Sequence, residues 1–229
     1  MKKILFFDAT NRWILVESYL LSPEGELIVV QKYQGLHQRE SSQRLVREIK
    51  TCLEESGWNS PDLIVTAIGP GSFTGIRISV STARNLAQIW RIPVLGFDSL
   101  DVYSAHYFQE SGTAAIVAIE AKQSKIYFAI RDQSGFWGSI DVLPAEIAET
   151  IPEDRLSSYL TGIRYSDCPD FYHGENVENI LPSSEALLRE RKEEIKRAIL
   201  EPEEFSFLRL VPNYIRGTYA DEKHKVFFK

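Results

Sequence analysis

The sequence IGPGSFTGIR, residues Ile68 to Arg77, joins a predicted buried strand to a predicted helix. The apolar run at residues 63–68 has the pattern of a buried strand, and helical periodicity follows as far as Trp90. Three glycines and a proline at such a junction predict a tight turn with free backbone N–H groups. Such a turn can bind a phosphate at the helix N-terminus, or it can let another backbone approach closely.

Known nucleotide and hydrolase motifs fit this turn poorly. No Lys-Ser or Lys-Thr pair closes it, and its glycines do not have the spacing of the dinucleotide fingerprint. Ser72 does not form a Gly-x-Ser-x-Gly elbow, because two residues separate it from Gly75. The spacing therefore favours a structural or partner-contacting turn over phosphate binding, with Arg77 as a nearby cation that can face an anion.

Composition predicts a cytoplasmic protein without a membrane segment. The chain has 229 residues and a net charge of −6, which suits one large or two small domains and does not predict an extended nucleic-acid surface. Cys52 and Cys168 lack metal-ligand spacing, and we expect no disulfide. The first apolar run ends at Asp8, too early for a signal sequence, so we expect a strand there.

Two parts of the chain repeat one pattern at an offset of 112 residues. A strand at residues 4–7 leads to Asp8, and a hairpin follows from Trp13. In the same way a strand at 114–119 leads to Glu120, and a hairpin follows from Ile126. The repeat predicts a duplicated α/β unit.

Two helices are predicted between these repeats, at about 41–56 and 74–90. The second has small residues at four-residue spacing, which is typical of close helix packing: Gly75, Ser79, Ala83 and Ala87. This helix is either buried within its own domain, or it covers the sheet on one side and a partner on the other. In the second case Ala83→Arg breaks pairing and leaves the fold intact.

A later helix is predicted at 184–200, and residues 159–173 are predicted to be irregular with strand ends.

The acidic ends of the two repeated strands leave two interpretations open. Asp8 either lies near a phosphate or metal, or caps a turn, and Glu120 has the same ambiguity. The four histidines do not pair at ligand spacing, so we expect no zinc site and no other metal site.

At several points the chain resembles the TsaB family, also named YeaZ. The glycine loop matches the hallmark of that family at Gly69, Pro70, Gly71, Ser72, Phe73, Thr74, Gly75, Ile76 and Arg77. Weaker similarities follow in the same order: the segments 8–10 (Asp-Ala-Thr), 119–122 (Ile-Glu-Ala-Lys) and 212–216 (Pro-Asn-Tyr-Ile-Arg). Together these similarities span nearly the whole chain.

The resemblance implies an actin-like ATPase (ASKHA) fold of the α/β class, with two related lobes that each contain a mixed sheet and packed helices. We expect an N-terminal lobe at 1–101, which carries the partner-binding helices, and a C-terminal lobe at 102–229. The last helix and the tail are expected to return to the N-terminal lobe. The resemblance also implies that helices one and two bind the partner, and we assign that contact to Leu45, Ile49, Gly75, Ser79, Ala83 and Ala87. Asp8 is then a vestigial phosphate or metal site.

The implied function is that of a non-catalytic subunit of the complex that forms N6-threonylcarbamoyladenosine at position 37 of ANN-decoding tRNAs. The implied partners are a TsaD-like catalytic subunit, a TsaE-like ATPase and tRNA through the complex, with a homodimer when the chain is isolated. We expect no cofactor on this chain alone, while the complex uses ATP. The alternative is a small-molecule kinase or ATPase of the actin-like fold, and an older peptidase label has little support.

Three departures from active relatives favour the non-catalytic interpretation. Where they have an Asp-x-Gly phosphate motif at the start of the second lobe, this chain has Glu120-Ala121-Lys122. The sequence also lacks the Gly-Gly adenosine pair near its C-terminus and the histidine pair that binds metal in TsaD. Each difference removes a group that holds a nucleotide or a metal.

Overall fold

The computed structural model describes residues 1–36, 41–168, 171, 175–177 and 180–215. They form two five-stranded sheets of matching topology. The strands of the first are β1 (Lys2–Asp8), β2 (Trp13–Leu21), β3 (Leu27–Leu36), β4 (Leu63–Ala67) and β5 (Val94–Phe97), in the order β3-β2-β1-β4-β5. The strands of the second are β6 (Ala115–Glu120), β7 (Ile126–Asp132), β8 (Gly135–Val142), β9 (Ile163–Ser166) and β10 (Glu175–Asn176), in the order β8-β7-β6-β9-β10.

The matching sheets confirm the duplicated α/β unit and the actin-like fold class. In each sheet the central strand pairs antiparallel with the next strand of its hairpin and parallel with a later strand. Asp8 and Glu120 are the last residues of the two central strands, β1 and β6. The offset of 112 residues therefore reflects equivalent positions in two related lobes.

Seven α-helices pack on these sheets in the described part of the chain. They are α1 (Ser41–Glu55), α2 (Phe73–Trp90), α3 (Ser99–Ser111), α4 (Ile147–Thr150), α5 (Glu153–Thr161), α6 (Glu185–Glu190) and α7 (Lys192–Leu200). Helices α1 and α2 share an apolar cluster with one face of the first sheet. Helices α3, α6 and α7 share the largest cluster with side chains of both sheets. No helix in these ranges is both long and apolar enough to cross a membrane.

Two sequence predictions about helices need correction, and one helix was not predicted at all. The single helix predicted at 184–200 is interrupted at Arg191, which has φ −94° and ψ 18°, and so becomes α6 and α7. Part of the segment predicted to be irregular is the end of α5, followed by the short strand β9. Helix α3 was missed altogether, because it is buried on almost every side and has no polar stripe to reveal its periodicity.

The polypeptide after α7 runs beside the first lobe. Val94 N donates a hydrogen bond to Phe205 O (2.9 Å), and Asn213 N donates to Ile68 O (2.8 Å). The predicted boundary at residues 101–102 falls inside α3, and the division into domains stays a prediction. Residues 216–229, which include the basic and aromatic tail, lie outside the described residues.

The glycine loop packs directly on the turn that follows β1. A Cβ added at Gly71 would overlap the carbonyl oxygen of Thr10, and one added at Gly75 would overlap that of Ala9. Ser72 N also donates a hydrogen bond to Thr10 O (2.7 Å). Of the two roles open to this loop, the structure thus shows the close approach of another backbone.

We predict that Gly75→Ala destabilises the protein by about 1–3 kcal/mol, because its new methyl group overlaps Ala9 O. Helix propensity alone predicts the opposite sign, a gain of about 1 kcal/mol. Urea unfolding followed by circular dichroism measures the difference. Thr74→Ala, at the exposed neighbouring position, should change the free energy of unfolding by less than about 0.5 kcal/mol. A more stable Gly75→Ala variant would contradict the close approach.

Candidate functional site

The acidic residue at the end of β1 is satisfied by its own chain. Asp8 is completely buried, and its Oδ1 accepts a hydrogen bond from Thr10 N (2.7 Å). Its Oδ2 accepts from the hydroxyl of Tyr103 on α3 (2.5 Å). Burial raises the pKa of Asp8 above its ordinary value, although the hydrogen bonds from Tyr103 and Thr10 oppose that shift. This is the turn-capping arrangement, reinforced by a buried tyrosine.

An arginine joins the ends of the central strands of the two lobes. Arg12, in the turn after β1, places a guanidinium nitrogen 3.0 Å from Glu120 Oε2 and another 3.4 Å from Asp167 Oδ2. Asp167 Oδ1 also accepts a hydrogen bond from Glu120 N (2.7 Å). Burial raises the pKa of Asp167, while the nearby guanidinium of Arg12 opposes the shift. The carboxylates between the lobes are therefore already paired with a cation of the same chain.

The glycine loop uses several of its backbone donors within the protein. Gly69 N donates to Ser99 Oγ (3.1 Å), and Ser72 N donates to Thr10 O. Ser72 is the N-cap of α2, and its Oγ accepts a long hydrogen bond from Gly75 N (3.4 Å). In the described ranges no cluster of three or more His, Cys, Asp or Glu side chains can hold a metal ion. Because these backbone N–H groups already donate hydrogen bonds within the protein, they are poorly suited to bind a phosphate.

The residues assigned to the partner contact need correction, because all six are buried within the chain; of the six, Ile49 also lines a groove between α1 and α2. At most 3% of any of five of these side chains is exposed, and Gly75 is buried as well; the six are Leu45, Ile49, Gly75, Ser79, Ala83 and Ala87. The small residues face the lobe's own sheet, as the hydrogen bond from Ala9 N to Ser79 Oγ (2.8 Å) shows. Ala83→Arg would therefore disrupt the fold, contrary to the sequence-based expectation.

The outer surface of the same two helices is apolar and exposed. A groove of about 340 Å³ lies between them, and its apolar lining consists of Val46, Ile49, Leu53, Trp58, Leu86 and Trp90. Val46 is 57% exposed, and Ile89 on the adjacent part of α2 is 70% exposed. Exposed apolar side chains beside a groove are typical of a surface that another protein covers.

A third polar site, which sequence reasoning missed, is centred on Asp98. Its Oδ1 accepts hydrogen bonds from Leu100 N (2.8 Å) at the start of α3 and from Ser139 Oγ (2.7 Å) of β8. Its Oδ2 accepts from Asn213 Nδ2 (3.0 Å) in the C-terminal segment. Burial raises the pKa of Asp98 to about 6. The one sequence signal for this site was an aspartate directly before α3, a common N-cap residue.

Comparisons with known proteins agree with one another. Residues 28–145 match the family model for TsaD, tRNA N6-adenosine threonylcarbamoyltransferase. The tRNA threonylcarbamoyladenosine biosynthesis protein TsaB of Escherichia coli K12 is 30% identical over 159 residues, which cover 66% of this chain and 68% of that protein. TsaB of Bacillus subtilis 168 is 24% identical over 211 residues, covering 85% and 88% respectively.

Similarity to solved structures extends over nearly the whole chain. The structure of YeaZ from Pseudomonas aeruginosa has a TM-score of 0.70 and 23% identity, and the match covers 93% of this chain and 100% of that one. At this identity the match establishes the fold. A second Pseudomonas aeruginosa structure, described as similar to peptidase YeaZ, gives the same TM-score at 22% identity, covering 94% and 100%.

We predict that the contribution of Asp98 to the free energy of unfolding falls as the pH rises from about 4 to about 6. The folded state binds a proton at Asp98 more tightly than the unfolded state does, so stability is present at low pH and is lost as Asp98 ionises. The pKa difference limits this loss to about 3 kcal/mol. Asp98→Asn keeps the capping oxygen and should make the profile flatter, whereas Asp154→Asn, at an exposed site, should not. Urea unfolding at several pH values tests this, and identical profiles for all three proteins would contradict it.

Proposed function

Because this chain belongs to the TsaB family, we propose that it is a non-catalytic subunit of the complex that forms N6-threonylcarbamoyladenosine at position 37 of ANN-decoding tRNAs. Family membership itself supports involvement in the biosynthesis of this nucleoside. The observation that carries the non-catalytic role is that the acidic side chains at the ends of β1 and β6 already have partners in the chain. These acidic side chains are held by Tyr103 and Arg12.

Catalysis of phosphoryl transfer needs groups that act on the phosphate oxygens or on a metal ion. Asp8 is completely buried and engaged by two donors, and burial favours its uncharged form. Glu120 is paired with Arg12. Activity would require both contacts to be replaced by a ligand, so the residues support a structural role better than a kinase or ATPase role.

We assign the binding of a TsaD-like subunit to the exposed face of α1 and α2. The lining of the groove between these helices combines the six apolar side chains with three polar ones, Lys50, Glu54 and Asn59. A largely apolar surface that also carries polar residues is the usual composition of a protein interface. In the isolated chain the same face pairs with a second copy. The TsaE-like ATPase joins the assembled complex, and ATP is used there.

Reconstitution tests the proposed function directly. Purified TsaD-like and TsaE-like subunits, ATP, the threonylcarbamoyl donor and an ANN-decoding tRNA transcript are combined with and without this chain. We expect modified nucleoside only when the chain is present, and no ATP turnover by the chain alone. Equal product without the chain would reject the role. ATP binding and turnover by the isolated chain would favour the alternative, a small-molecule kinase or ATPase.

We predict that Ile89→Arg weakens binding of the TsaD-like subunit at least tenfold, because it places a charge in the apolar face of α2. The side chain is 70% exposed in the chain, so the fold should not change. Leu160→Arg is the matched control, since Leu160 is 65% exposed on α5 of the other lobe. Isothermal titration calorimetry measures both affinities. Equal affinities for the two variants would place the contact elsewhere.

A further inference from the structure

Arg77 and Arg84 lie on one side of α2, and Arg91 caps its C-terminal end. Arg77, Arg84 and Arg91 are seven residues apart, and α2 itself contains no acidic residue. At 3.6 residues per turn the side chains of Arg77 and Arg84 leave the helix within about 20° of each other. Arg91 follows the last helical residue in a left-handed conformation (φ 54°, ψ 47°), and the three positions span about 21 Å along the helix axis. Arg77 and Arg91 are exposed and Arg84 is half-buried. We call these residues the arginine row.

The arginine row differs from seven other described arginines because, within the ranges that the structure describes, its members form no ion pair with a carboxylate. Seven of the ten other arginines that the structure describes are paired with acidic side chains, and Arg47, Arg164 and Arg209 are not; the seven are Arg12, Arg44, Arg131, Arg155, Arg189, Arg191 and Arg197. In a protein of net charge −6, three uncompensated guanidinium groups in one line are a local site for an anionic partner.

Two exposed aromatic rings lie at the N-terminal end of the row. Phe73 is 48% exposed and Tyr214 is 38% exposed, and their ring centroids are 5.3 Å apart. The guanidinium carbon of Arg77 lies 5.1 Å from the centroid of Phe73. Phe73 also falls on the same side of the helix as the arginines by helical spacing. A π-face that continues a line of cations suits a base and the phosphates that follow it.

We propose that the arginine row and the Phe73–Tyr214 pair bind an RNA strand, with phosphates on the three guanidinium groups and an unpaired base against the rings. This rests on the proposed function, since the RNA supplied there is the tRNA substrate.

The apolar lining residues Leu86 and Trp90 lie on the opposite side of α2, about 120–160° around the helix from Arg84. A protein bound in the groove therefore leaves the row uncovered. On the side of the row, the exposed side chains between the arginines are the polar Ser81 and Gln88, and α2 carries no carboxylate. This composition favours a phosphate backbone over a protein surface.

The test measures tRNA binding by fluorescence anisotropy, with an unmodified ANN-decoding tRNA transcript and the assembled complex with the TsaD-like subunit. Arg84→Gln/Arg91→Gln should lower affinity roughly tenfold at about 0.1 M KCl. It should also reduce the slope of log affinity against log salt by about 0.7–0.9 for each arginine removed. Phe73→Ala should lower affinity and leave the salt slope unchanged, because stacking involves no counterion.

The matched control is Lys122→Gln/Lys192→Gln, which removes the same charge at exposed positions outside α2. It should leave both affinity and slope close to those of the parent protein. The inference is overturned if the arginine variant binds tRNA like the control, or if it loses affinity for the TsaD-like subunit and not for tRNA. Failure of the proposed function would give a different result. Modified nucleoside would then form equally well with and without this chain, while the difference in tRNA affinity between the arginine variant and the control could still be measured.

Discussion

The close approach of two backbones, the glycine loop and the turn after β1, fixes the position of α2 and so the surfaces that remain available. Gly71 and Gly75 lie against the carbonyl oxygens of Thr10 and Ala9, and Ser79 accepts a hydrogen bond from Ala9 N. These contacts commit the small-residue side of α2 to its own sheet. The opposite side faces solvent, with apolar residues toward α1 and arginines on the other edge. A phosphate at this loop would compete with the contacts that hold the helix.

The sequence predicted the elements with strong periodicity and could not predict which partner a given face meets. Both strand–acid–hairpin repeats and helices α1 and α2 were expected from local pattern. The spacing of Gly75, Ser79, Ala83 and Ala87 correctly indicated close packing, yet spacing alone does not distinguish a sheet of the same chain from another subunit. Helix α3 escaped detection because Leu100, Val102, Tyr103 and Ala105 are all buried, so no polar side marked its turns.

The polar contacts between distant parts of the chain could not be predicted from the sequence for a different reason. Arg12 meets Asp167, and Asp98 meets Asn213, across more than a hundred residues of chain. Such pairs depend on how the two sheets are placed, and a single sequence contains no signal of that placement. Asp8 illustrates the same point, since only the position of Tyr103 separates a turn cap from a phosphate ligand. The sequence could identify Asp8 as a candidate functional residue, but only its contacts in the folded chain show which role it has.

The contacts of Arg12 have a mechanical consequence. Enzymes that close around a ligand need lobes that rotate about a hinge. Here Arg12 ties β1 to the carboxylates at the ends of β6 and β9, and Ser139 of β8 donates a hydrogen bond to Asp98, which follows β5. Opening would expose several charged groups together, so these ties oppose rotation of one lobe against the other. These contacts therefore favour a single arrangement of the two lobes, in which the exposed face of α1 and α2 keeps its position relative to the second sheet.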